Sequence, residues 1–390
     1  GRGKMEPKQL QNQVVVLMGV CLLVSAIFFY DETKMLLDIG ASSSFTVVLD
    51  VVKSDALPPS LAHVVAPPTE AFVMDDTNAL FTVEGLRHMN ETYADVNDWV
   101  ITFIDQSYLE TFDLWYRYYR THDGSRVQHP RLLFLIALDN VAFTKLRQCL
   151  GGTPDIVVVR LDKEGAGKNE SLLWEQRVLF LHQIIHELPQ YNIVFTDVDA
   201  FWVRDPFTEI FYNSPSLRDA DVIASRGRYP QECPLTNAGA SCMGFIRFRN
   251  TLATRQYLTH VRDWLQDEDN QKDDQVAVNC VATSSLYEPV QEQLPFNKHN
   301  TALLTYRSNR TIMMAPSSDD DSHLTIGLLS YSVVPRYCKE QTSRWRTNSN
   351  IVIIHCLANK NAKSKSIAIQ KNDLLLKGEW NESCTRHWSS

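Results

Sequence analysis

The sequence predicts an α/β body built on a mainly parallel central sheet, preceded by one membrane-spanning helix. Three observations carry that expectation. From Trp99 onward, apolar runs of strand length recur and alternate with helix-like segments, the pattern of strands covered on both faces by crossover helices. One run near the N-terminus is free of charge over a bilayer-spanning length. Of the 390 residues, 44% are hydrophobic and 22% charged, which suits a folded core and excludes global disorder.

The charge-free run is Val14 to Tyr30, VVVLMGVCLLVSAIFFY. At about 1.5 Å per helical residue it reaches ~25 Å, enough for a thin bilayer. Arg2, Lys4 and Lys8 precede it and Asp31 and Glu32 follow it, so the positive-inside rule puts residues 1–13 in the cytosol and the body in the lumen. A cleaved signal peptide is the second reading, because Val24-Ser25-Ala26 supplies the small residues that signal peptidase cleaves after. Both readings send the body into the secretory pathway; the first makes it a single-pass type II membrane protein, held in the membrane by that helix. Sequons at Asn90, Asn169, Asn309 and Asn381 fit a lumenal body. Seven cysteines follow the apolar run, Cys149, Cys233, Cys242, Cys280, Cys338, Cys356 and Cys384, an odd number that allows three disulfides and one free thiol. No Cys-x-x-Cys pair occurs, which disfavours a zinc ribbon or a thioredoxin-type site.

Residues 31–98 carry Ser42-Ser43-Ser44, Pro58-Pro59 and Pro67-Pro68 with no sustained period, as in a stem or N-terminal extension. Residues 99–390 form the predicted lumenal domain. Trp99 to Ile104, Arg131 to Leu138, Ile156 to Val159 and Tyr191 to Thr196 read as strands, and Tyr108 to Tyr119 and Leu172 to Leu188 as helices. The aromatics Trp115, Tyr116, Tyr118 and Tyr119 read as packing. The net charge of −8, from 38 Lys+Arg against 46 Asp+Glu, argues against a nucleic-acid partner.

Ligands in open α/β sheets sit at the carboxyl ends of the strands. After Thr196 the chain reads Asp197-Val198-Asp199-Ala200-Phe201-Trp202. The strand period of two would point both carboxylates to one side, making a hard-oxygen site for Mn²⁺ or Mg²⁺ that phosphate oxygens complete. An exposed acidic turn is the competing reading.

The segment Phe195 to Pro206 resembles the D-x-D signature of nucleotide-diphospho-sugar transferases, in the group that includes plant pectin xylosyltransferases and cell-wall arabinosyltransferases. LIALD at Leu135 to Asp139, GFIRFRNT at Gly244 to Thr251, DDQVAVN at Asp273 to Asn279 and IVIIHC at Ile351 to Cys356 follow in the family's order. The resemblance implies a Rossmann-like domain of the glycosyltransferase A type, a divalent ion, and retention of anomeric configuration. It also implies a nucleotide-sugar donor, by preference a UDP-sugar, a glycan or glycoprotein acceptor, and a place in the Golgi membrane. His355 would be the third metal ligand, with a hydrogen-bonded histidine at a strand end as the plainer alternative. The chain departs from the commoner His-Ala-Asn-Gly wording by reading His355-Cys356-Leu357-Ala358-Asn359. Asp274 and Gln275 resemble the pair that contacts the donor sugar or frames the acceptor, although helix capping explains Asp273 or Asp274 equally well. Arg177, Asp139 and Asn237 are the further candidates for the donor cleft. Two other functions remain open on sequence: a catalytically silent sugar-binding or scaffold relative, and a different lumenal nucleotide-sugar enzyme.

Overall fold

The computed structural model describes residues 72–74, 82–151, 153–161, 170–235, 239–293, 302–308, 323–336, 348 and 350–356. The predicted membrane run 14–30 lies outside them, and among the described residues no helix is long and apolar enough to cross a membrane.

The strands are β1 (Phe72–Met74), β2 (Asp98–Ile104), β3 (Arg131–Ala137), β4 (Ile156–Arg160), β5 (Asn192–Thr196), β6 (Ala200–Trp202), β7 (Val222–Gly227), β8 (Ala240–Phe248), β9 (Tyr287–Gln293), β10 (Ala302–Ser308), β11 (His323–Leu329) and β12 (Ile353–His355). The helices are α1 (Val83–Thr92), α2 (Leu109–Arg120), α3 (Asn140–Leu150), α4 (Glu170–Glu187), α5 (Pro215–Arg218), α6 (Leu252–Gln266) and α7 (Asp274–Ala282). Ten strands form one sheet in the order β1-β4-β3-β2-β5-β8-β7-β11-β10-β9. β8 and β10 run against the rest, so the pairs that include either are antiparallel and every other neighbour pair in that order is parallel. A second ladder pairs β12 antiparallel with β6 and sets His355 opposite Ala200.

Successive residues of β2 show why the strands read as unbroken apolar runs. Trp99 and Ile101 enter a core shared with α4, α6 and α7, whereas Val100 and Ile104 enter one shared with α2 and α3. Both faces are buried, so alternation has nothing to mark. On the second face Trp115, Tyr119 and Trp202 pack ring to ring. The Trp115 indole donates to the Ala200 carbonyl at 3.0 Å, fixing β6 just behind the D-x-D segment. The aromatic run of α2 is therefore core, as its composition suggests. Within the 31–98 segment, β1 pairs with β4 at the sheet edge, and α1 buries Met89 in the first core.

α7 is tied to β8 by Asn279, which is wholly buried. Its Oδ1 accepts from Ser241 N at 2.7 Å, and its Nδ2 donates to Ser241 O at 2.9 Å and to Gln275 O at 2.7 Å. Cys233–Cys280 anchors the same helix to the loop before β8. Cys149 and Cys356 are also disulfide-bonded, and Cys242 is the free cysteine among the described residues. Replacing Asn279 by Ala leaves a buried amide and carbonyl of β8 without partners, each worth ~1–3 kcal/mol. Urea denaturation of Asn279→Ala is expected to show a loss of about 2–4 kcal/mol; a loss under ~0.5 kcal/mol would contradict this anchoring.

Candidate active site

β5 ends at Thr196, and the chain turns through Val198 and Asp199 into β6. The carboxylates of Asp197 and Asp199 therefore converge through a turn, closed by Ala200 N donating to Asp197 O at 3.0 Å, and not through strand alternation as the spacing suggested. The reversal is what lets β6 leave the sheet and pair with β12. That pairing delivers His355: its Nε2 lies 3.4 Å from Asp199 Oδ1 and 3.9 Å from Asp197 Oδ2. One ligand atom from each of the three residues lies within 4.8 Å of the others.

Gly244 makes this approach possible. The imidazole fills the space a side chain would take: a Cβ there would stand 2.6 Å from His355 Nε2 and 3.0 Å from Asp197 Oδ2. On the other side of the ring, Nδ1 faces the sulfur of buried Cys242 at 4.0 Å. Ligation through Nε2 with Nδ1 occupied elsewhere is the usual habit of metal-binding histidines.

Burial by itself lowers the pKa of His355, yet the Asp199 carboxylate outweighs it and holds the ring proton up to about 10. The pocket therefore demands a positive charge between these groups. Two hard carboxylates and one imidazole suit Mn²⁺ or Mg²⁺ in place of that proton. The residues fit a divalent ion.

Arg177, on α4, sits almost fully buried over the Phe195 ring at 4.8 Å. Its Nη1 donates to Asp197 Oδ1 at 3.3 Å and its Nε to Asp274 Oδ2 at 2.8 Å. Burial pushes the Asp274 carboxyl up to about 6, against the pull of Arg177. The two readings of the Asp273-Asp274 pair divide between the residues. Asp273 caps α7, accepting from Val276 N at 3.0 Å, which frees Asp274 to face Arg177. Gln275 is held at both ends, accepting from Met243 N at 3.4 Å and donating to Tyr229 O at 2.5 Å.

Asp197, Asp199, His355, Arg177, Asp274 and Gln275 thus gather at one end of the sheet. Asp139 lies at the end of β3, where its carboxylate accepts from Gln106 N at 2.8 Å and Ala142 N at 2.7 Å. There it caps α3 and makes no contact with the triad among the described residues. Asn237 falls outside those residues. Gly244, Cys242 and Asn279 carry no chemical signature in sequence; a glycine inside an apolar strand signals only a close approach.

The family model of nucleotide-diphospho-sugar transferases matches residues 128–367, the span that holds all of these side chains. The chain belongs to that family. Its described residues build a mixed α/β fold on a large, mostly parallel sheet. No curated protein sequence matches it. Among solved structures it is similar to the apo form of the bifunctional glycosyltransferase WbbM, at 10% identity and a TM-score of 0.44 over 76% of this chain and 52% of that one. Similarity also extends to apo glycosyltransferase GlyE of Streptococcus pneumoniae TIGR4, at 10% identity and a TM-score of 0.41 over 75% of this chain and 64% of that one. Mouse xyloside xylosyltransferase 1 is similar at 11% identity and a TM-score of 0.39, over 67% of this chain and 98% of that one. The chain spans 52% and 64% of the length of the first two.

Gly244→Ala puts a methyl group where the His355 ring lies. The variant is expected to keep its far-UV circular dichroism and to lose Mn²⁺ affinity by about 10- to 100-fold, the range seen when a ligand's support is removed. Calorimetric titration with Mn²⁺ checks this, and unchanged affinity would contradict the close approach.

Proposed function

We propose that the enzyme is a metal-dependent, retaining glycosyltransferase that draws on a UDP-sugar donor and delivers the sugar to a glycan or glycoprotein acceptor. We place it in the Golgi membrane, anchored by residues 14–30 with the domain in the lumen. The observation that carries the catalytic reading is the convergence of Asp197, Asp199 and His355 beside the Arg177–Asp274 pair.

Manganese or magnesium bound there would neutralise the diphosphate as it leaves. Asp197 and Asp199 hold the ion, and Arg177 keeps the Asp197 carboxylate turned toward it. Asp274, fixed by the same guanidinium, is a hydrogen-bond acceptor that suits a donor-sugar hydroxyl. Gln275 keeps the neighbouring wall of the cleft in place through its two backbone contacts. No residue is assigned as nucleophile or base.

Asp199→Asn keeps the shape and removes one hard charged ligand. Loss of the several kcal/mol a bound cation supplies corresponds to about 10³-fold in rate. Mn²⁺-dependent release of UDP from a panel of UDP-sugars is expected to fall by that order, and turnover unaffected by Asp199→Asn or by chelation would overturn the metal reading. Product NMR should show the donor's anomeric configuration retained, and inversion would overturn that part.

The His355 proton gives the pH dependence its sign. In the metal-free enzyme the folded value, about 10, exceeds the ordinary 6.5. The resulting stabilisation is complete below about pH 6.5 and is lost as pH rises through about 10. Ligation requires the neutral ring, so Mn²⁺ affinity runs the other way, rising close to tenfold per pH unit between about pH 6.5 and 8. Titrations at several pH values check the slope; flat affinity would mean that His355 does not exchange a proton for the ion.

A further inference from the structure

Beyond the carboxylates and His355, a second set of charged groups gathers across β8 from β5. Arg226 is the last residue but one of β7, Arg228 follows the strand, and Arg336 follows Pro335, whose carbonyl accepts from His355 N at 3.0 Å. The positions are tightly set. A Cβ on Gly227 would stand 3.1 Å from Arg336 Nη1, 3.3 Å from Gln275 Nε2 and 3.4 Å from Cys242 Cβ. Arg336 is therefore a neighbour of Gln275 and of the thiol that faces His355. The stem of Arg226 lies over Gly239, whose φ of 137° and crowded Cα leave no room for a side chain. Arg228 lies 5.9 Å from the ring centre of Tyr331.

None of these three guanidinium groups makes a hydrogen bond or ion pair among the described residues, and Arg226 Nε, Arg336 Nε and the Tyr331 hydroxyl are buried without a partner. Arg226 and Arg336 are half-buried and Arg228 is exposed; the fully buried arginines each have a carboxylate beside them, Arg131 with Asp205, Arg177 with Asp274 and Asp197, and Arg247 with Asp98, although Arg131 and Arg247 also leave Nε without a hydrogen-bond partner. Burial penalises the charge of Arg226 and pulls its pKa down, and no carboxylate offsets that cost. Unpaired buried donors are expensive, and clustered ones point to a partner that arrives from outside.

We propose that Arg226, Arg228 and Arg336, with Tyr331, form an anion-binding subsite that recognises an acidic group, a carboxylate or a sulfate, on the acceptor glycan. The inference rests on the transferase reading above and names the acceptor class for it. The site then has two ends: Asp197 and Asp199 call for a cation and its diphosphate, and the arginines lie beyond His355, Cys242 and Gln275. A donor chelated at the first end leaves the second facing the other substrate. Planar guanidinium forks match carboxylate and sulfate oxygens in geometry as well as charge.

The test is calorimetric binding to the full-length protein with Mn²⁺ and UDP present. Three probes are used: a glucuronate-containing oligosaccharide, the same oligosaccharide with its carboxyls reduced to alcohols, and a sulfated neutral oligosaccharide of equal length. At least one acidic probe should bind about tenfold or more tightly than the reduced one. The preferred probe names the anion. In Arg226→Gln and Arg336→Gln that advantage should shrink by about tenfold each, Arg336→Lys should restore part of it, and UDP affinity should stay within twofold. Equal affinity for acidic and reduced probes overturns the proposal. So does a loss of UDP affinity in the variants that matches the loss for the acidic probe, because the arginines would then serve the donor. Mn²⁺-dependent hydrolysis of UDP-sugar without acceptor, measured on the same preparation, reports on the donor reading alone and separates its failure from failure of the subsite.

Discussion

Two carboxylates and an imidazole brought into one corner, where Asp199 and His355 are buried and Asp197 is half-buried, repel or attract one another strongly enough to dictate what surrounds them. Asp199 is almost wholly buried with His355, and a carboxylate in such a place is stable only beside a positive charge. Here that charge is either the His355 proton or the proposed ion, and Arg177 balances Asp197 from the other side. The backbone is arranged to suit. Asp197 N donates to Gly244 O at 2.9 Å, and Cys356 N donates to Asp199 O at 2.8 Å, so both acidic residues are held by strands of different parts of the chain.

This corner explains several features that otherwise look unrelated. β6 and β12 leave the large sheet to pair with each other because only that ladder carries His355 to the carboxylates. The stacked aromatics of α2 support β6 from beneath, and Asn279 with the Cys233–Cys280 bridge fixes α7 at the opposite wall. A site mounted on strands and short helices holds its groups closer to working geometry than one mounted on loops, and this is where positioning yields rate.

Much of the architecture was legible in the residues. RLLFLIA and IVVVR are strands because both faces are buried, and unbroken apolar runs report that directly. The D-x-D pair was legible because two carboxylates after an apolar strand are chemically conspicuous, and His355 was legible through the resemblance of its segment to the family's motif order. Less visible was how they meet. Period two predicts convergence along a strand, whereas the chain turns at Val198; Asp is itself a turn residue, so the same two carboxylates signal a strand-end ligand pair and a turn, and spacing does not separate the two. The role of Gly244 depends on a ring arriving from 111 residues later in the chain, as 355 − 244 shows; no local pattern encodes it. Asp139 illustrates the opposite difficulty, since a carboxylate after a strand looks the same whether it awaits a ligand or caps the next helix. The arginines of the proposed subsite gave no signal because Arg226 and Arg336 lie far apart in sequence, and only the pairing of β7 with β11 brings their segments together.

The account stands or falls on what occupies the Asp197–Asp199–His355 corner, and anomalous diffraction from crystals grown with Mn²⁺ and UDP addresses that most directly. The account predicts a single strong manganese peak within about 2.3 Å of an oxygen of each carboxylate and of His355 Nε2, with Nδ1 still facing Cys242. A peak elsewhere, or manganese on the carboxylates alone with His355 still bonded to Asp199, would contradict it.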